Sequence, residues 1–424
     1  MSDPELSVEF FRENRERFDR QMEEGSLAVF HAATPVIKSL DQFHRYHQTS
    51  NFYYLTGIDF PGCILLVHPP DREDRLATLY IPKPDSAREV WEGEMADKDE
   101  VRDISGIRDV RYAREFDSDF VKFQSSREIV YLDYDDSGFR FPTSHESRLF
   151  ERIRETLPGL QLRKAGLILA ELRRRKSEEE LGLIRKAIEI THEGLQELWA
   201  AMNSGVMEYE LEATLACHFI KNRARVFAYE PIIASGPNAT VLHYVDNERR
   251  MEDGDLLLTD VGAQYGHYCA DITRTVPVNG SFSPRQREIY EAVLGVQEEM
   301  IDSVRTGTSL EDLKALARDK MGETLKSLEL IGDDGEISNY YMHSIGHYLG
   351  LDTHDVGDLN APLEPGNVLT IEPGIYIREE GIGIRIEDDV LVTEGEPEIL
   401  SGAIPKTVDD LEEMLLKLSG KDRG

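Results

Sequence analysis

Carboxylates occur in two stretches of the sequence at spacings that would hold them in pairs. In the first stretch, residues 258–275 read LTDVGAQYGHYCADITRT, two runs of β-forming residues that flank Tyr265-Gly266. A tight two-residue turn that ends in Gly predicts a β-hairpin, in which Asp260 faces Asp271 across the strands. Opposed residues of such a hairpin have Cβ atoms about 5 Å apart. Two carboxylates at that separation repel each other unless one is protonated or a cation lies between them.

A second stretch repeats this arrangement. Residues 367–393 read NVLTIEPGIYIREEGIGIRIEDDVLVT, and a turn centred on Glu379-Glu380 would place Glu372 opposite Glu387. The proline and the glycines within the stretch would also permit a β-bulge, which would shift the register. The two predicted hairpins together supply four carboxylates.

Three histidines, His343, His347 and His354, lie between the two hairpins. Four carboxylates and an imidazole form a mostly oxygen-donor set, sufficient for two divalent cations that share bridging ligands. The spacing of His343 and His347 is also that of a helical HExxH zinc site. However, Ser344 stands where that motif requires Glu, and Gly346 disfavours a helix, so the sequence does not favour this kind of zinc protease.

The composition excludes several classes of function. A formal charge of −33 argues against binding to nucleic acids and to anionic membranes, and it fits an acidic, soluble surface or a saline habitat. Three widely spaced cysteines form neither a disulfide framework nor a zinc knuckle, which favours a reducing cytoplasm. The acidic start of the sequence is unlike a signal peptide, and no apolar run is long enough to span a bilayer.

The rest of the sequence alternates predicted helices and strands, which indicates an α/β (α+β) fold. Because 424 residues exceed what one hydrophobic core usually serves, we expect two domains with a boundary at the basic run 173–176. In the first domain, the patterns predict helices at 10–22 and 144–156 and strands at 26–30, 62–67, 76–81 and 128–132. In the second domain, Ser177, Ser283 and Ser309 are predicted to cap helices, with further helices at 208–223 and 407–418.

Four motifs in this order, DVG-x8-DITRT, H-x3-H-x6-HDVG, IEPG-x-Y and GIRIEDD, resemble those of the M24 metallopeptidases of the pita-bread fold. Within that family the sequence is most similar to aminopeptidase P, the Xaa-Pro aminopeptidases, and next to prolidase. The resemblance runs from about Arg12 to Ile399. It implies a mixed-sheet amino-terminal domain at residues 1–173 and a catalytic pita-bread domain at residues 174–424.

The resemblance also implies a set of metal ligands, namely Asp260, Asp271, His347, Glu372 and Glu387. By this likeness Asp271 and Glu387 bridge two ions, Asp260 chelates one of them, and His347 with Glu372 holds the other. Mn²⁺ is the expected metal, and Co²⁺ and Zn²⁺ accept the same donors. Two such cations would lower the pKa of a shared water towards neutrality, and one of them would polarise the scissile carbonyl.

Three residues are candidates for the chemical step. Glu372 would act as the general base that passes a proton to the leaving amine. His354 and His243 would stabilise the oxyanion or orient the substrate. For His243 this role rests on its match to a family histidine, since a lone histidine is more often an ordinary surface or core residue.

Other residues are candidates for contact with the substrate. His343 and Tyr376 would form the pocket on the proline side of the bond, and Arg385 is assigned to the same group. Arg385 also lies two residues before Glu387, on the same face of the strand, and could fix that carboxylate. Trp91, in the amino-terminal domain, either packs half-buried or contacts the site of a neighbouring subunit in a homodimer or homotetramer.

The expected activity is removal of the amino-terminal residue from peptides with proline in second position. A prolyl nitrogen carries no N–H, so an enzyme that attacks only the carbonyl carbon suits this bond. A prolidase would cleave dipeptides instead. A non-catalytic pita-bread module that binds peptides, or a metal-free creatinase-like hydrolase, would lack ligands, whereas all five are present. Methionine aminopeptidase lacks so large a first domain.

Overall fold

The computed structural model describes residues 5–68, 76–134 and 145–419. The chain divides into two compact units, one at Leu6–Leu172 and a second that begins at Arg173. Within the described residues, no helix is both long enough and apolar enough to cross a membrane.

The first unit is built on a mixed six-stranded sheet. Its strand order is β6-β5-β4-β1-β7-β8, with parallel pairs β1/β7, β5/β6 and β7/β8 and antiparallel pairs β1/β4 and β4/β5. Leu27, Val29 and Leu66 from this sheet pack with Val130 and Leu132 in a buried core. The strands of the unit are β1 (Leu27–His31), β2 (Ile37–Ser39), β3 (Gln42–Phe43), β4 (Ile64–Val67), β5 (Ala77–Ile81), β6 (Asp109–Tyr112), β7 (Ile129–Leu132) and β8 (Gln161–Lys164).

The helices of the first unit confirm the predicted amphipathic segments. The helix predicted at 10–22 is α1, whose buried face includes Phe10, Phe11 and Phe18. The helix predicted at 144–156 is α6, although Ser144 lies outside the described residues. Trp91, on α3, is 89% exposed, so the prediction that it packs half-buried is wrong. The helices are α1 (Val8–Gln21), α2 (Ser50–Thr56), α3 (Ser86–Glu92), α4 (Lys98–Ser105), α5 (Phe116–Gln124), α6 (His145–Thr156) and α7 (Ala165–Arg174).

The second unit combines short antiparallel sheets with long helices. Its sheets have the orders β10-β11-β14, β13-β12-β9, β15-β18-β19 and β16-β17. The strands are β9 (Val226–Phe227), β10 (Ile232–Ser235), β11 (Leu256–Val261), β12 (Ala263–Tyr265), β13 (Tyr268–Cys269), β14 (Ile272–Pro277), β15 (Val368–Ile371), β16 (Gly374–Ile377), β17 (Ile382–Arg385), β18 (Asp388–Leu391) and β19 (Glu398–Ile399).

The helices of the second unit begin where their capping residues predict. The side chains of Ser177, Ser283 and Ser309 each accept a hydrogen bond from a backbone N–H of the first turn, which satisfies a donor that has no partner within the helix. The helices are α8 (Glu178–Ala201), α9 (Glu208–Lys221), α10 (Pro284–Asp302), α11 (Leu310–Ser327) and α12 (Val408–Leu418).

The register of the first hairpin differs from the prediction. Asp260 lies opposite Thr273 rather than opposite Asp271, and Tyr265 lies opposite Tyr268. The turn is Gly266-His267, whose φ angles are 55° and 71°. Both central residues of a type I′ hairpin turn need a positive φ, and here His267 accepts one, which moves the turn one residue along the chain. The alternation of side chains is unchanged, so Asp260 and Asp271 still belong to the same face.

The register of the second hairpin is confirmed. Ile371 lies opposite Asp388 and Gly374 lies opposite Arg385, which places Glu372 against Glu387 between the two ladders. At that break the backbone N–H of Ile386 donates to the carbonyl oxygen of Pro373 at 3.3 Å. The proline therefore interrupts the ladder without shifting it.

The two hairpins meet along their second strands. The backbone N–H of Glu387 donates to the carbonyl oxygen of Thr273 at 3.1 Å. Next to it, the N–H of Arg385 donates to Oγ1 of Thr275 at 3.2 Å. The strand that leads from Asp271 and the strand that carries Glu387 are therefore held side by side.

The segment that carries His343 and His347 is not helical. Gly346 lies against β15, where a Cβ atom would stand 1.9 Å from the carbonyl oxygen of Thr370. Only glycine permits this approach, and the N–H of His347 donates to Oγ1 of Thr370 at 3.1 Å. The segment is thus an extended loop fixed to a strand, which agrees with the rejection of a helical zinc site.

Candidate functional site

The candidate site lies in the second unit, at the junction of the two hairpins. Ligand atoms of Asp271, His347 and Glu387 all lie within 4.8 Å of one another, a grouping that could hold a metal ion. Nε2 of His347 is 3.4 Å from Oδ2 of Asp271 and 3.7 Å from Oε1 of Glu372. Asp271, His347 and Glu387 are therefore mutual neighbours, and Glu372 lies beside His347.

The fifth predicted ligand, Asp260, is held from two sides. The hydroxyl of Tyr229 donates to its Oδ1 at 2.5 Å, and Nη2 of Arg385 donates to its Oδ2 at 2.5 Å. Burial raises the pKa of Asp260, the charge of Arg385 lowers it, and the charge of Asp271 raises it again. Asp260 is therefore close enough to Asp271 to interact with it electrostatically.

Burial, and after it the charges of neighbouring acids, raise the pKa values of Glu372 and Glu387 in the site. Burial first, and then the charges of Asp271, Glu372 and Asp260, raise the pKa of Glu387 well above its usual range. Burial is also the main cause that raises the pKa of Glu372 to about 7. A protein rarely buries so many acids together without a counter-charge, and divalent cations would stabilise the ionised forms. The donor set of oxygens and one imidazole therefore fits a metal centre.

The imidazole of His347 is oriented for a ligand role. Its Nδ1–H donates to the carbonyl oxygen of Tyr348 at 3.0 Å, which leaves Nε2 towards the carboxylates. Burial lowers the pKa of His347, but Asp271 and Glu372 together raise it to about 9. This backbone contact fixes the ring tautomer, as is usual for histidines that bind metals.

Arg385 does not contact Glu387 directly, which corrects the predicted pairing. Its Nε donates to Oγ1 of Thr273 at 3.1 Å, and that hydroxyl donates to Oε2 of Glu387 at 2.7 Å. The first-hairpin register explains this arrangement, because Thr273 rather than Asp271 stands opposite Asp260. The direct carboxylate partner of Arg385 is Asp260.

Of the three predicted substrate contacts, only His343 retains exposed surface. Tyr376 and Arg385 are 1% and 4% exposed, so they lie beneath the surface and their assignment as direct substrate contacts is corrected. The Tyr376 hydroxyl accepts a hydrogen bond from Nη1 of Arg385 and bonds Nε2 of His343, both at 2.8 Å. Nδ1–H of His343 donates to the carbonyl oxygen of Ser344 at 2.8 Å. Both ring nitrogens of His343 are therefore occupied.

The two remaining histidines lie beside this cluster. The ring centroid of His354 is 4.2 Å from that of His347, and His354 is exposed. His243 is also exposed, and its charge contributes to the lowered pKa values of His343 and His354, after the larger effect of burial. All of the predicted site residues thus belong to one region of the second unit.

Sequence reasoning did not identify three residues that support the cluster. They are Tyr229 and Thr273, which bind carboxylates, and Asp389, whose Oδ2 accepts a hydrogen bond from the backbone N–H of Asp271 at 3.2 Å. Tyr229 lies far from Asp260 along the chain, in a segment without a motif. Asp389 could have been suspected, because strand alternation places it on the same face as Glu387.

Comparisons with known proteins agree with this geometry. The sequence profile of metallopeptidase family M24 matches residues 182–394, and that of the aminopeptidase P N-terminal domain matches residues 11–131. The chain is 33% identical to the Xaa-Pro aminopeptidase of Escherichia coli K12, over 97% of this chain and 98% of that protein. It is also 33% identical to Xaa-Pro aminopeptidase 3 of Homo sapiens, over 89% of this chain and 78% of that protein.

The same likeness extends to solved structures. Zinc-substituted E. coli aminopeptidase P in complex with product superposes with a TM-score of 0.90 at 32% identity, over 98% of this chain and 99% of that one. E. coli aminopeptidase P with the inhibitor Pro-Leu also gives a TM-score of 0.90 at 32% identity, over 98% and 100% of the two chains. These matches confirm the predicted fold, a mixed α/β chain with an amino-terminal domain followed by a pita-bread domain. The chain belongs to metallopeptidase family M24.

Proposed function

We propose that this protein is a metal-dependent exopeptidase that removes the amino-terminal residue from peptides with proline in second position. The observation that carries the proposal is the convergence of Asp271, His347 and Glu387 within 4.8 Å, next to Glu372 and Asp260. The names of the two relatives, both Xaa-Pro aminopeptidases, support the choice of substrate.

The proposed metal centre holds two divalent cations. Asp260, Asp271, Glu372 and Glu387 would hold them through carboxylate oxygens, and His347 would add an imidazole nitrogen. Mn²⁺ is the proposed metal, and the zinc-substituted form of the E. coli relative supports Zn²⁺ as an alternative. When bound, such cations supply an acidified water near neutral pH and polarise the carbonyl of the substrate.

Glu372 is the proposed general base. Burial raises its pKa to about 7 in the metal-free protein, and bound cations would favour its ionised form, which can accept a proton. Glu372 would accept a proton from the attacking water and deliver it to the prolyl nitrogen as the peptide bond breaks. The nitrogen needs this proton to leave as a neutral amine, because an amide anion is a poor leaving group.

His354 and His243 are proposed to stabilise charge on the carbonyl oxygen and to orient the peptide. Both are exposed at the site, so both can reach a bound substrate. His343 is proposed to contact the proline ring. Burial lowers the pKa of His343 to about 3 and both of its nitrogens have partners, so the neutral ring offers an apolar face.

We also propose that the protein acts in the cytoplasm as a homodimer or homotetramer. The three cysteines, Cys63, Cys217 and Cys269, are unpaired thiols, which supports a reducing compartment. The oligomeric state rests on the resemblance to aminopeptidase P alone and is tested by light scattering of the purified protein.

Activity on Arg-Pro-Pro and on Ala-Pro, before and after removal of metal, tests the proposed function. We expect the tripeptide to be cleaved between Arg and the first Pro, activity to disappear with a chelator, and Mn²⁺ to restore it. Cleavage of Ala-Pro alone would instead identify a prolidase. Binding of both peptides without turnover in the presence of metal would identify a non-catalytic peptide-binding module.

A further inference from the structure

Glu208 is a buried carboxylate that the proposed chemistry does not use. It is the first residue of α9 and is 0% exposed. Its oxygens accept hydrogen bonds from the N–H and the hydroxyl of Ser235, both at 2.7 Å, and from Nδ2 of Asn238 at 3.3 Å. They also accept from the hydroxyl of Tyr244 and from the N–H of Arg249, both at 2.8 Å. These five donors offset the cost of burying a charge without a direct cationic partner.

All five donors belong to one segment, residues 235–249, which we call the His243 loop. The loop leaves β10 through a 3-10 turn at Gly236–Thr240. Leu242 and Tyr244 pack inwards against a core that includes Tyr376, whereas His243 between them is exposed. The Tyr244 hydroxyl that reaches Glu208 therefore belongs to the residue next to His243.

A second anchor holds the far end of the His243 loop. Oδ1 of Asn247 accepts from the N–H of Ile233 at 3.1 Å, and its Nδ2 donates to the carbonyl oxygen of Pro231 at 3.0 Å. Nη1 of Arg249 also donates to Oγ of Ser235 at 2.8 Å, which ties the end of the loop to its start. Between these ends, the hydrogen bond of Tyr244 with Glu208 and the packing of Leu242 restrain the residues on either side of His243.

We propose that Glu208 is a positioning residue, which sets the place of His243 at the active site through its hydrogen bond with Tyr244. This inference rests on the role that the proposed function gives to His243. The hydrogen bonds of the Glu208 side chain go to the His243 loop and not to the proposed metal ligands. A side chain that stabilises a transition state lowers the activation free energy more when it is held in place before the substrate binds.

Tyr244→Phe tests the proposal, because it removes the hydroxyl and leaves the other four donors to Glu208. Turnover of Arg-Pro-Pro by the Mn²⁺-loaded protein should show kcat/KM lowered about tenfold, the effect of one hydrogen bond to a charged group, with metal content unchanged. In a His243→Ala background, the same change should alter kcat/KM by less than about twofold, because Tyr244 affects turnover only through the position of His243. Tyr209→Phe, an exposed tyrosine next to Glu208, is the matched control and should have no effect.

An equal loss in both backgrounds, or no loss in either, would overturn the proposal. Hydrogen exchange of residues 236–249 provides a readout that does not depend on activity. Glu208→Gln and Tyr244→Phe should both accelerate exchange there, and Tyr209→Phe should not; unchanged exchange in the first two would contradict the tether. A wild-type protein without turnover of Arg-Pro-Pro would refute the proposed function, while the exchange data would still decide whether Glu208 holds the loop.

Discussion

The guanidinium of Arg385 contacts the carboxylate of Asp260, with Nη2 2.5 Å from Oδ2. The same group donates to Oγ1 of Thr273 and to the hydroxyl of Tyr376. One buried side chain therefore supports a proposed metal ligand directly. It also reaches Glu387 through the hydroxyl of Thr273 and His343 through the hydroxyl of Tyr376. A planar fork with donors in several directions can do this, and a lysine ammonium cannot reproduce it.

We therefore predict that Arg385→Lys weakens metal binding although it keeps the positive charge. The loss should be about 10–100-fold in affinity for Mn²⁺, the range typical for residues that orient metal ligands. Isothermal titration of the chelator-stripped protein measures it. Arg378→Lys is the control, since Arg378 is exposed in the turn of the same hairpin. Equal affinities for Arg385→Lys and the wild type would show that Asp260 needs no such support.

The stability of the metal-free protein should depend on the ionisation of Glu372. Burial raises its pKa from the usual 4.5 to about 7. An acid whose pKa is higher in the folded state stabilises the fold fully below its unfolded pKa, and this contribution is lost as the pH rises through the folded pKa. In chelator, the free energy of unfolding should therefore fall between pH about 4.5 and about 7, by up to about 3 kcal/mol from this residue.

Glu372→Gln isolates this effect, because the amide does not ionise. Urea unfolding of both proteins in chelator should give a difference in stability that grows with pH, with the variant the more stable one above pH about 7. A difference that stays constant from pH 4.5 to 8 would contradict the raised pKa. Addition of Mn²⁺ should reverse the order above neutral pH, since only the wild type keeps the full set of ligands.

Tyr376→Phe should raise KM more than it lowers kcat. The change removes the hydroxyl between His343 and Arg385 and frees the His343 ring that is proposed to contact proline. We expect KM for Arg-Pro-Pro to increase about tenfold, as for the loss of one or two kcal/mol of binding. Tyr290→Phe is the control, since it removes a buried hydroxyl that bonds the carbonyl oxygen of Lys406. A fall in kcat alone would place Tyr376 in the chemical step instead.

The carboxylate of Asp355 stabilises the second unit from a position next to His354. It forms ion pairs with Arg173 and with Nζ of Lys176, the latter at 3.0 Å, and is 1% exposed. Although burial raises its pKa, these two cations lower it below the usual value. Asp355 thus stabilises the fold above its unfolded pKa, and the contribution is lost as the pH falls through the folded pKa.

Asp355→Asn should therefore cost about 3–5 kcal/mol of stability at pH 7, because it removes the buried carboxylate that pairs with both Arg173 and Lys176. The difference from the wild type should shrink as the pH falls below about 4, the usual pKa of an unfolded aspartate, towards the lower pKa of the folded carboxylate. Asp352→Asn, at a half-exposed carboxylate that also pairs with Arg173, should cost about 1 kcal/mol or less. Equal losses for the two variants in urea unfolding would contradict this ranking.

Helix positions and the second hairpin follow from local chemistry, and for that reason sequence reasoning predicts them well. Ser177, Ser283 and Ser309 each satisfy free amides at a helix start, a requirement that does not depend on the rest of the fold. In the first hairpin, contacts with the rest of the fold offset the unfavourable positive φ of His267. Residue type alone favours a turn one position earlier in the chain. The error moved the predicted partner of Asp260 from Thr273 to Asp271.

In the candidate site, too, local sequence predicts some features and tertiary packing determines the others. Glu372 and Glu387 can be paired by counting along one hairpin, and the family motifs identify the other ligands. The contacts of Tyr229 with Asp260 and of Thr273 with Glu387 join segments far apart in the chain. Local spacing carries no signal for such contacts, because they arise only when separate segments of the chain pack against each other.

Metal content and turnover of Asp271→Ala, measured together, test the central claim most directly. Asp271 lies within the cluster of His347 and Glu387, so its loss should remove the bound metal and abolish cleavage of Arg-Pro-Pro in the same sample. The wild type should bind two divalent ions per chain and lose activity as a chelator removes them. Turnover by Asp271→Ala, or by the wild type in chelator, would contradict a metallopeptidase centred on these residues.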